Sequence, residues 1–275
     1  MIGHRKVVIM SSESSIVLER EATILICSET PEAVYTEIAG LSAIDGYELV
    51  PGEPQILEDH YFDTPDGKFR AKKWGLRLRR IGPDFWITLK GPPKQTEWGG
   101  RERAEIEARW SDKSLAGIVQ ELFDLGIETN FQKEALSESD PLPVMMRAGL
   151  VIIQRRDTRR AASAVISCED GKVRAEMAAD SVIYYFSEGV IRHYEVEIEA
   201  KDPDGSKAAE VLAKYLLARY SPELRRWPHD KLVTGWAVRE LLARGSLKGL
   251  VHLNNHLKPI SYDKIDEYLT HELSL

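Results

Sequence analysis

The sequence predicts an α+β fold built on an antiparallel sheet. Many short segments alternate apolar and polar residues with a period of two, the mark of half-buried strands. Capped amphipathic helices lie between them, and a similar order of strand, helix and several strands recurs in both halves. The 275-residue chain is 43% hydrophobic, enough apolar surface for one large domain or two small ones. No fixed-period repeat or low-complexity tract suggests a solenoid or a disordered array.

The first element is "IVLEREATILIC", β-branched and alternating, hence a strand. "TPEAVYTEIAGLSAI" follows as a helix, with Thr30 as N-cap and Pro31 at its first position. In "EDHYFDTPDGKFRAKKWGLRLRR" a strand runs to Phe62. A short helix then begins near Thr64-Pro65 and ends at Gly75, before a further strand. "FWITLKGP" is the next strand, joined to its predecessor by the turn "IGPD". "RERAEIEARW" comes after a Gly-Gly loop, and "SDKSLAGIVQELFDLG" is a helix capped by Ser111 or Asp112 and closed at Gly126. A polar stretch containing "ESDPLP" leads into "GLVIIQRRDTRRAASAVISCEDGKVRAEMAA", strands joined by a hairpin at Asp170-Gly171. "SVIYYF" and "HYEVEIEAK" read as two more strands. "SKAAEVLAKYLLARY" and "HDKLVTGWAVRELLARG" read as helices, followed by a short helical tail.

Read with a period of two, these strands repeat one pattern. Arg103, Glu105, Glu107 and Arg109 share a face opposite Ala104, Ile106 and Ala108. Glu19, Glu21 and Thr23 lie opposite Leu18, Ala22 and Ile24. Arg77 and Arg79 lie opposite Leu76 and Leu78, and Thr88 and Lys90 opposite Ile87 and Leu89. Glu195, Glu197 and Glu199 lie opposite Tyr194, Val196 and Ile198. In "VIIQRRDTRR" the pattern leaves open whether Arg155 or Arg156 belongs to the charged face.

For any one strand the simplest reading is a wetted face laced with cross-strand ion pairs. The set argues otherwise, because carboxylates come in threes on some strands and arginines in pairs on others. Three glutamates in one alternating run repel each other, and nothing structural requires them. If the sheet closes with its charges inward, it forms a polar tunnel able to hold one small ligand, with helices covering the apolar outside. Carboxylates confined there demand cations. Arginine and lysine supply some, and a hard oxygen-liganded ion such as Mg²⁺ or Mn²⁺ suits the rest. Fixed cations beside a carboxylate-held metal are what a polyphosphate needs.

In order along the chain, "EREAT", "YFDTPD", "GLRLRR", "TLKGP", "RERAEIE", "EVEIE" and "DKLVTG" resemble the motifs of the CYTH domain family, the triphosphate tunnel metalloenzymes, between about Glu19 and Gly235. The resemblance implies a closed antiparallel eight-stranded β-barrel with helices packed on the outside. Residues 16–245 would form this tunnel domain, with an N-terminal extension at 1–15 and a helical tail at 246–275 that packs on the barrel or pairs subunits in a homodimer. It implies metal-dependent hydrolysis of inorganic triphosphate, thiamine triphosphate or a nucleoside triphosphate, with Mg²⁺ or Mn²⁺ as cofactor. Cyclisation of ATP to cyclic AMP, as in class IV adenylate cyclases, is one alternative, and a non-catalytic polyphosphate or nucleotide binder, given Thr23 in place of the family's lysine, is the other. By motif position, Glu19, Glu21, Glu105, Glu107, Glu197 and Glu199 resemble the metal- and water-orienting acids. Arg77, Arg79, Lys90, Arg103, one of Arg155 and Arg156, and Lys231 resemble the phosphate clamps. Glu19, Glu21 and Lys90 would form the catalytic centre. Thr23 stands where the family's Glu-x-Glu-x-Lys signature carries lysine, so one cation is missing from that position.

Other function classes are weaker. A formal net charge of −7 argues against a nucleic-acid binder, and the basic run at Lys68, Arg70, Lys72 and Lys73 reads as the solvated face of a short helix. No run approaches a membrane span, and two cysteines make no disulfide framework, so a cytoplasmic setting is expected. Cys27 and Cys168 sit in apolar strand contexts and read as core. His252 and His256 are spaced like helical zinc ligands but lack partners at typical spacing, and His229 reads as structural.

Overall fold

The computed structural model describes residues 16–131 and 140–272, so the expected extension at 1–15 lies outside the described residues. The chain begins with β1 (Val17–Ile26), α1 (Pro31–Ala39), β2 (Ala43–Ile44), β3 (Tyr47–Pro51) and β4 (Gln55–Asp63). A short α2 (Lys68–Lys72) leads to β5 (Gly75–Ile81), β6 (Asp84–Lys90), β7 (Lys94–Gln95) and β8 (Arg101–Arg109). Helices α3 (Asp112–Asp124) and α4 (Pro141–Arg147) precede the long strands β9 (Val151–Ser167), β10 (Val173–Phe186) and β11 (Gly189–Ala200). Then come α5 (Gly205–Arg219), β12 (Leu224–Trp227), α6 (Lys231–Ala243), α7 (Ser261–Glu267) and a π-helical turn at Tyr268–Glu272.

Eight of these strands close a barrel in the order β1, β8, β6, β5, β4, β9, β10, β11 and back to β1. Every neighbouring pair is antiparallel. The remaining short strands hang on its margins. β3 pairs with the far end of β9 and carries β2, β12 pairs with β1, and β7 pairs with β8. No helix among the described residues is long and apolar enough to cross a membrane.

The barrel is inverted relative to an ordinary core. Outward side chains are apolar and lie under helices. Ala22, Ile24 and Ile26 of β1 pack with Val196 and Ile198 of β11 beneath Val34 and Ile38 of α1 and Leu212 and Leu216 of α5. Across the barrel, Leu76, Leu78, Ile87, Leu89 and Ile106 pack beneath Leu115, Ile118 and Leu122 of α3 and Val144 and Met145 of α4. Each such buried side chain stabilises the fold by about 1.5–3 kcal/mol. A third cluster joins Leu25 and Trp227 to Val238 of α6 and to Tyr262, Ile265 and Leu269, so the tail beyond residue 245 packs on the barrel. The apolar face of "RERAEIEARW" is therefore covered by helices, and its charged face points into the closed barrel.

The register explains why like charges on one strand are tolerated. Glu19 and Glu21 of β1 face Arg103 and Arg101 of β8, and Lys90 of β6 faces Glu105. Asp59 of β4 faces Arg79 on one side and Arg156 on the other. Charges sorted by strand in the sequence become alternating charges around much of the barrel wall.

Several elements differ from expectation. The short helix starts at Lys68 rather than near Thr64, because the Asp63 carboxylate accepts hydrogen bonds from the amides of Thr64, Phe69 and Arg70. That bends residues 64–67 into a turn, with Gly67 at φ +73°. The polar stretch after α3 contains α4, whose Asp140 cap accepts from the Leu142 amide and whose Pro141 needs no donor partner there. "SVIYYF" is the second half of the continuous β10. Cys27 is half-buried against the third cluster, where burial pushes its thiol up to about 12. Cys168 is exposed beside the β9–β10 hairpin, not core, because the strand ends at Ser167 and the turn carries the next side chain outward.

Candidate active site

The barrel encloses a cavity of about 1690 Å³. In and behind its walls lie two charge clusters of opposite character, joined by a mixed one; Asp59, Asp180 and Glu195 are fully buried and do not themselves line the cavity.

The basic cluster lies on β5, β4 and β9. Arg79 donates to both Asp59 oxygens at 2.7 and 2.8 Å, Arg156 donates to Asp59 Oδ2 at 3.1 and 3.2 Å, and Arg77 approaches the same oxygen at 4.0 Å. Arg77 also donates to Glu107 at 2.6 Å and to the Thr88 hydroxyl at 3.0 Å. Arg156 donates to the Tyr61 hydroxyl and lies over that ring. Burial pushes the Asp59 carboxyl up, but Arg79 and Arg77 outweigh it and hold the group well below the usual carboxylate range.

The acidic cluster lies on β10 and β11, beneath the N-terminus of α6. One oxygen from each of Asp180, Glu195 and Glu197 lies within 4.8 Å of the others. The Lys231 ammonium contacts all three, reaching Asp180 at 3.1 Å and Glu197 at 2.5 Å. Arg160 bridges Asp180 and Glu197 at 2.6 and 2.5 Å. Burial pushes the Glu195 carboxyl up to about 7, with Lys231 opposing and Glu197 adding to the rise. Glu197 itself is held well below the usual range, because Lys231 and Arg160 overcome its burial. His193, fully buried beside Glu195, is lowered to about 3, first by burial and then by Lys231 and Arg156.

Between these clusters, Glu19 accepts from Lys90 at 2.7 Å and from Arg103 Nε at 2.6 Å. Glu21 accepts from Arg101 and Arg103, both at 3.0 Å, and Arg103 also donates to Asp230 at 2.9 Å. Glu105 sits 3.0 Å from Lys90, and burial pushes it up to about 7 against that lysine's pull.

The residues of the acidic cluster fit a divalent cation. Their donors are hard carboxylate oxygens. Their span is close to the roughly 4 Å between opposite ligands of an ion with bonds of about 2.1 Å. The Lys231 ammonium touching all three carboxylates marks where positive charge is best held.

Most sequence-chosen residues converge on the tunnel. Glu19, Glu21, Arg77, Arg79, Lys90, Arg103, Glu105, Glu107, Arg156, Glu197, Glu199 and Lys231 all line it. Arg155 does not, because it is one residue out of phase and lies exposed over the Tyr185 ring. Arg109, at the end of β8, is also exposed and pairs with Asp84 at 2.6 Å. The expected metal ligands divide. Glu197 sits in the carboxylate group, Glu19 and Glu21 are held by Lys90, Arg101 and Arg103, Glu107 by Arg77, and Glu199 by Lys201 at 2.6 Å. Lys231 joins the acids rather than the arginine cluster. Asp59, Arg160, Asp180 and Glu195 were not chosen. Alternation from Arg156 through Thr158 reaches Arg160, and Asp180 is a lone acid in an apolar run, so both carried a signal. Arg70 and Lys73 of the basic run line the cavity instead of forming only a solvated face, and Arg70 lies over Trp236, which also lines it. Away from the cavity, the His252 and His256 rings meet at a tilt with centroids 4.1 Å apart, in an irregular segment where His252 approaches Glu29 at 3.0 Å. His229 lines the cavity and pairs with Asp266 at 3.1 Å.

The family profile described as the CYTH domain matches residues 34–224, well over half the chain. The chain belongs to the CYTH domain family. Among solved structures, this CYTH protein is similar to a candidate adenylyl cyclase from Hippeastrum for which a dominant triphosphatase activity is described. The two share 18% identity over 80% of this chain and 96% of that one, with a TM-score of 0.52. A candidate adenylate cyclase from Bacillus halodurans shares 21% identity over 78% and 94%, with a TM-score of 0.47. A protein from Pyrococcus horikoshii shares 20% over 82% and 99%, with a TM-score of 0.45. A search of curated proteins gave no match.

Proposed function

We propose that this CYTH protein is a divalent-metal-dependent triphosphatase that holds its substrate lengthwise in the tunnel. The observation that carries the reading is the opposition of a guanidinium cluster and a carboxylate group across one channel, with Glu197 in the channel wall and Asp180 and Glu195 buried behind it. The arginines would hold the anionic oxygens of a polyphosphate and the carboxylates a divalent cation accompanying it.

Arg77, Arg79, Arg156, Lys90 and Arg103 would bind phosphate oxygens, the arginines through two donors each. Asp180, Glu195 and Glu197 would hold the metal. When bound there, Mg²⁺ or Mn²⁺ supplies charge neutralisation across neighbouring phosphate oxygens. Lys231 and Arg160 keep the three carboxylates together and offset their charge. Glu105, pushed up to about 7, is the acid best suited to take a proton from the attacking water near neutral pH. Positioning and charge carry most of such a reaction. The triphosphatase activity described for the Hippeastrum protein agrees with this reading.

The test is a panel of inorganic triphosphate, thiamine triphosphate and ATP, each with Mg²⁺, Mn²⁺ or chelator. Metal-dependent release of phosphate from at least one is expected. Cyclic AMP with pyrophosphate from ATP would replace hydrolysis by cyclisation. Tight binding without turnover would leave a binder, and neither binding nor turnover would overturn the proposal.

A further inference from the structure

Arg101 plays no part in the roles assigned above, yet it is only 3% exposed. It is not among the residues lining the cavity, whereas Arg103, two positions on along the same face of β8, is. One Arg101 nitrogen, Nη2, donates to Glu21 Oε1 at 3.0 Å and to the Thr23 hydroxyl at 2.8 Å. Its Nε and Nη1 have no protein hydrogen-bond partner among the described residues. A guanidinium buried with two donors unused is held there for its charge, since an incomplete hydrogen-bond set costs stability.

That charge bears on Glu21, which takes Arg101 and Arg103 on the same oxygen. Arg103 also serves Glu19 and Asp230, so three carboxylates share it. In the free tunnel each carboxylate of this network has a cation. When an anion in the cavity draws on Arg103, Glu21 loses one of its two cations, and an unpaired buried carboxylate would pull Arg103 back. Arg101 lies behind the wall, out of the anion's reach, and stays on Glu21. Thr23 seats it with a hydroxyl acceptor, at the position where the Glu-x-Glu-x-Lys signature has its lysine. A lysine at 23 would bring a second cation to the place Arg101 already fills.

We infer that Arg101 is a positioning residue that carries, from β8, the charge missing at position 23 of β1, holding Glu21 so that Arg103 is free to bind substrate. The inference rests on the triphosphatase reading. Its structural half, that one charge has moved between strands, can be measured separately.

The experiment compares the wild type with Arg101→Gln, Thr23→Lys and the double variant, using inorganic triphosphate with Mn²⁺ for kinetics and thermal unfolding of the metal-free proteins for stability. Loss of one charge-assisted bond sets the scale at about tenfold. Arg101→Gln should therefore raise KM about tenfold and leave kcat within about threefold. Thr23→Lys alone should lower Tm, because it adds a third cation to the two, Arg101 and Arg103, that already share Glu21. The double variant should recover both Tm and KM to near wild type, a coupling that independent sites do not show. If Arg101→Gln does not fold, Arg101→Lys keeps the charge without the fork, and its KM should stay within about threefold of wild type. Additive losses in the double variant would overturn the charge relocation. Recovery of Tm with KM unmoved throughout would overturn the positioning role. If the wild type neither binds nor cleaves inorganic triphosphate while Tm still recovers, the triphosphatase reading fails for that substrate and the relocation stands.

Discussion

The two ends of the charge network differ in what they lack. On β5, β4 and β9, three guanidinium groups (Arg77, Arg79, Arg156) face two carboxylates, Asp59 and Glu107. On β10 and β11, three carboxylates (Asp180, Glu195, Glu197) face two cations, Arg160 and Lys231. The first is one positive charge in excess, the second one negative. The responses are opposite too. Asp59 is driven far down, fully ionised among its arginines, whereas Glu195 is driven up to about 7 and takes up a proton near neutral pH. One barrel, built from a single inward-facing pattern, thus carries a positive excess at one end and a negative excess at the other. On the proposed reading, the surplus at each end, rather than the number of charges, would set what the tunnel binds.

The comparison is broken most severely by removing a carboxylate from the acidic end. Glu197→Gln leaves two acids against two cations, with no excess for a metal. Metal-dependent turnover should fall on the order of 10³-fold, with the fold intact by circular dichroism. Calorimetric Mn²⁺ binding should weaken in parallel, and unchanged Mn²⁺ affinity would move the metal elsewhere. At the basic end, Asp59→Asn strips the one acid shared by all three guanidinium groups. Because it leaves buried charges unpaired, unfolding free energy should drop by about 3 kcal/mol or more. Inorganic triphosphate should restore more Tm to this variant than it adds to wild type, since the ligand replaces the lost anion. Equal ligand shifts in the two proteins would show that the arginines do not bind phosphate.

A pH series sharpens the contrast. The Glu195 carboxyl is raised from its usual value near 4.5 to about 7 by burial, so the folded protein favours its protonated form. The stability linked to that proton is fully present below about pH 4.5 and is lost as pH rises through about 7. His193, lowered by burial to about 3, titrates in an overlapping window with the opposite sign, losing stability as pH falls below its unfolded value. Because His193 Nε2 lies 3.5 Å from Glu195 Oε2, Glu195→Gln is compared with Glu195 in a His193→Gln background, which removes the histidine contribution. In chelator, Glu195→Gln should become more stable relative to that background by up to about 3 kcal/mol between pH 5 and pH 8. A flat difference would mean that Glu195 is ionised across the whole range.

Much of this was legible in the sequence, because a two-residue period survives folding unchanged. The faces of β1, β5, β6, β8 and β11 point as their alternation requires, and the helices cover the apolar sides. The sequence could not show which strands become neighbours. Glu195 was visible on its face, but its partner Asp180 belongs to another strand, and only the pairing of Asp180 with Glu195 across β10 and β11 makes a carboxylate group. Asp59 was hidden for the same reason, since its importance comes from standing between Arg79 and Arg156. The helix near Thr64 was misplaced because the side chain of Asp63 binds amides up to seven residues ahead, a contact that no helix-start pattern encodes.

The smallest expected effect concerns the one place where alternation left a choice. Arg155 and Arg156 are adjacent, so a strand must send one outward and one inward. Arg156 is 2% exposed and bound to Asp59 and Tyr61, whereas Arg155 is exposed with its guanidinium 4.9 Å from the Tyr185 ring. An exposed cation–π contact is worth about 0.5–1 kcal/mol, so Arg155→Ala should cost no more than that and leave KM for triphosphate unchanged. Arg156→Ala removes a clamp and leaves Asp59 with fewer partners, so KM should rise at least tenfold, the scale of one lost charge-assisted pair. Were the two variants to behave alike, the register of β9 against β4 would be off by one residue, and with it the whole inward face of that strand.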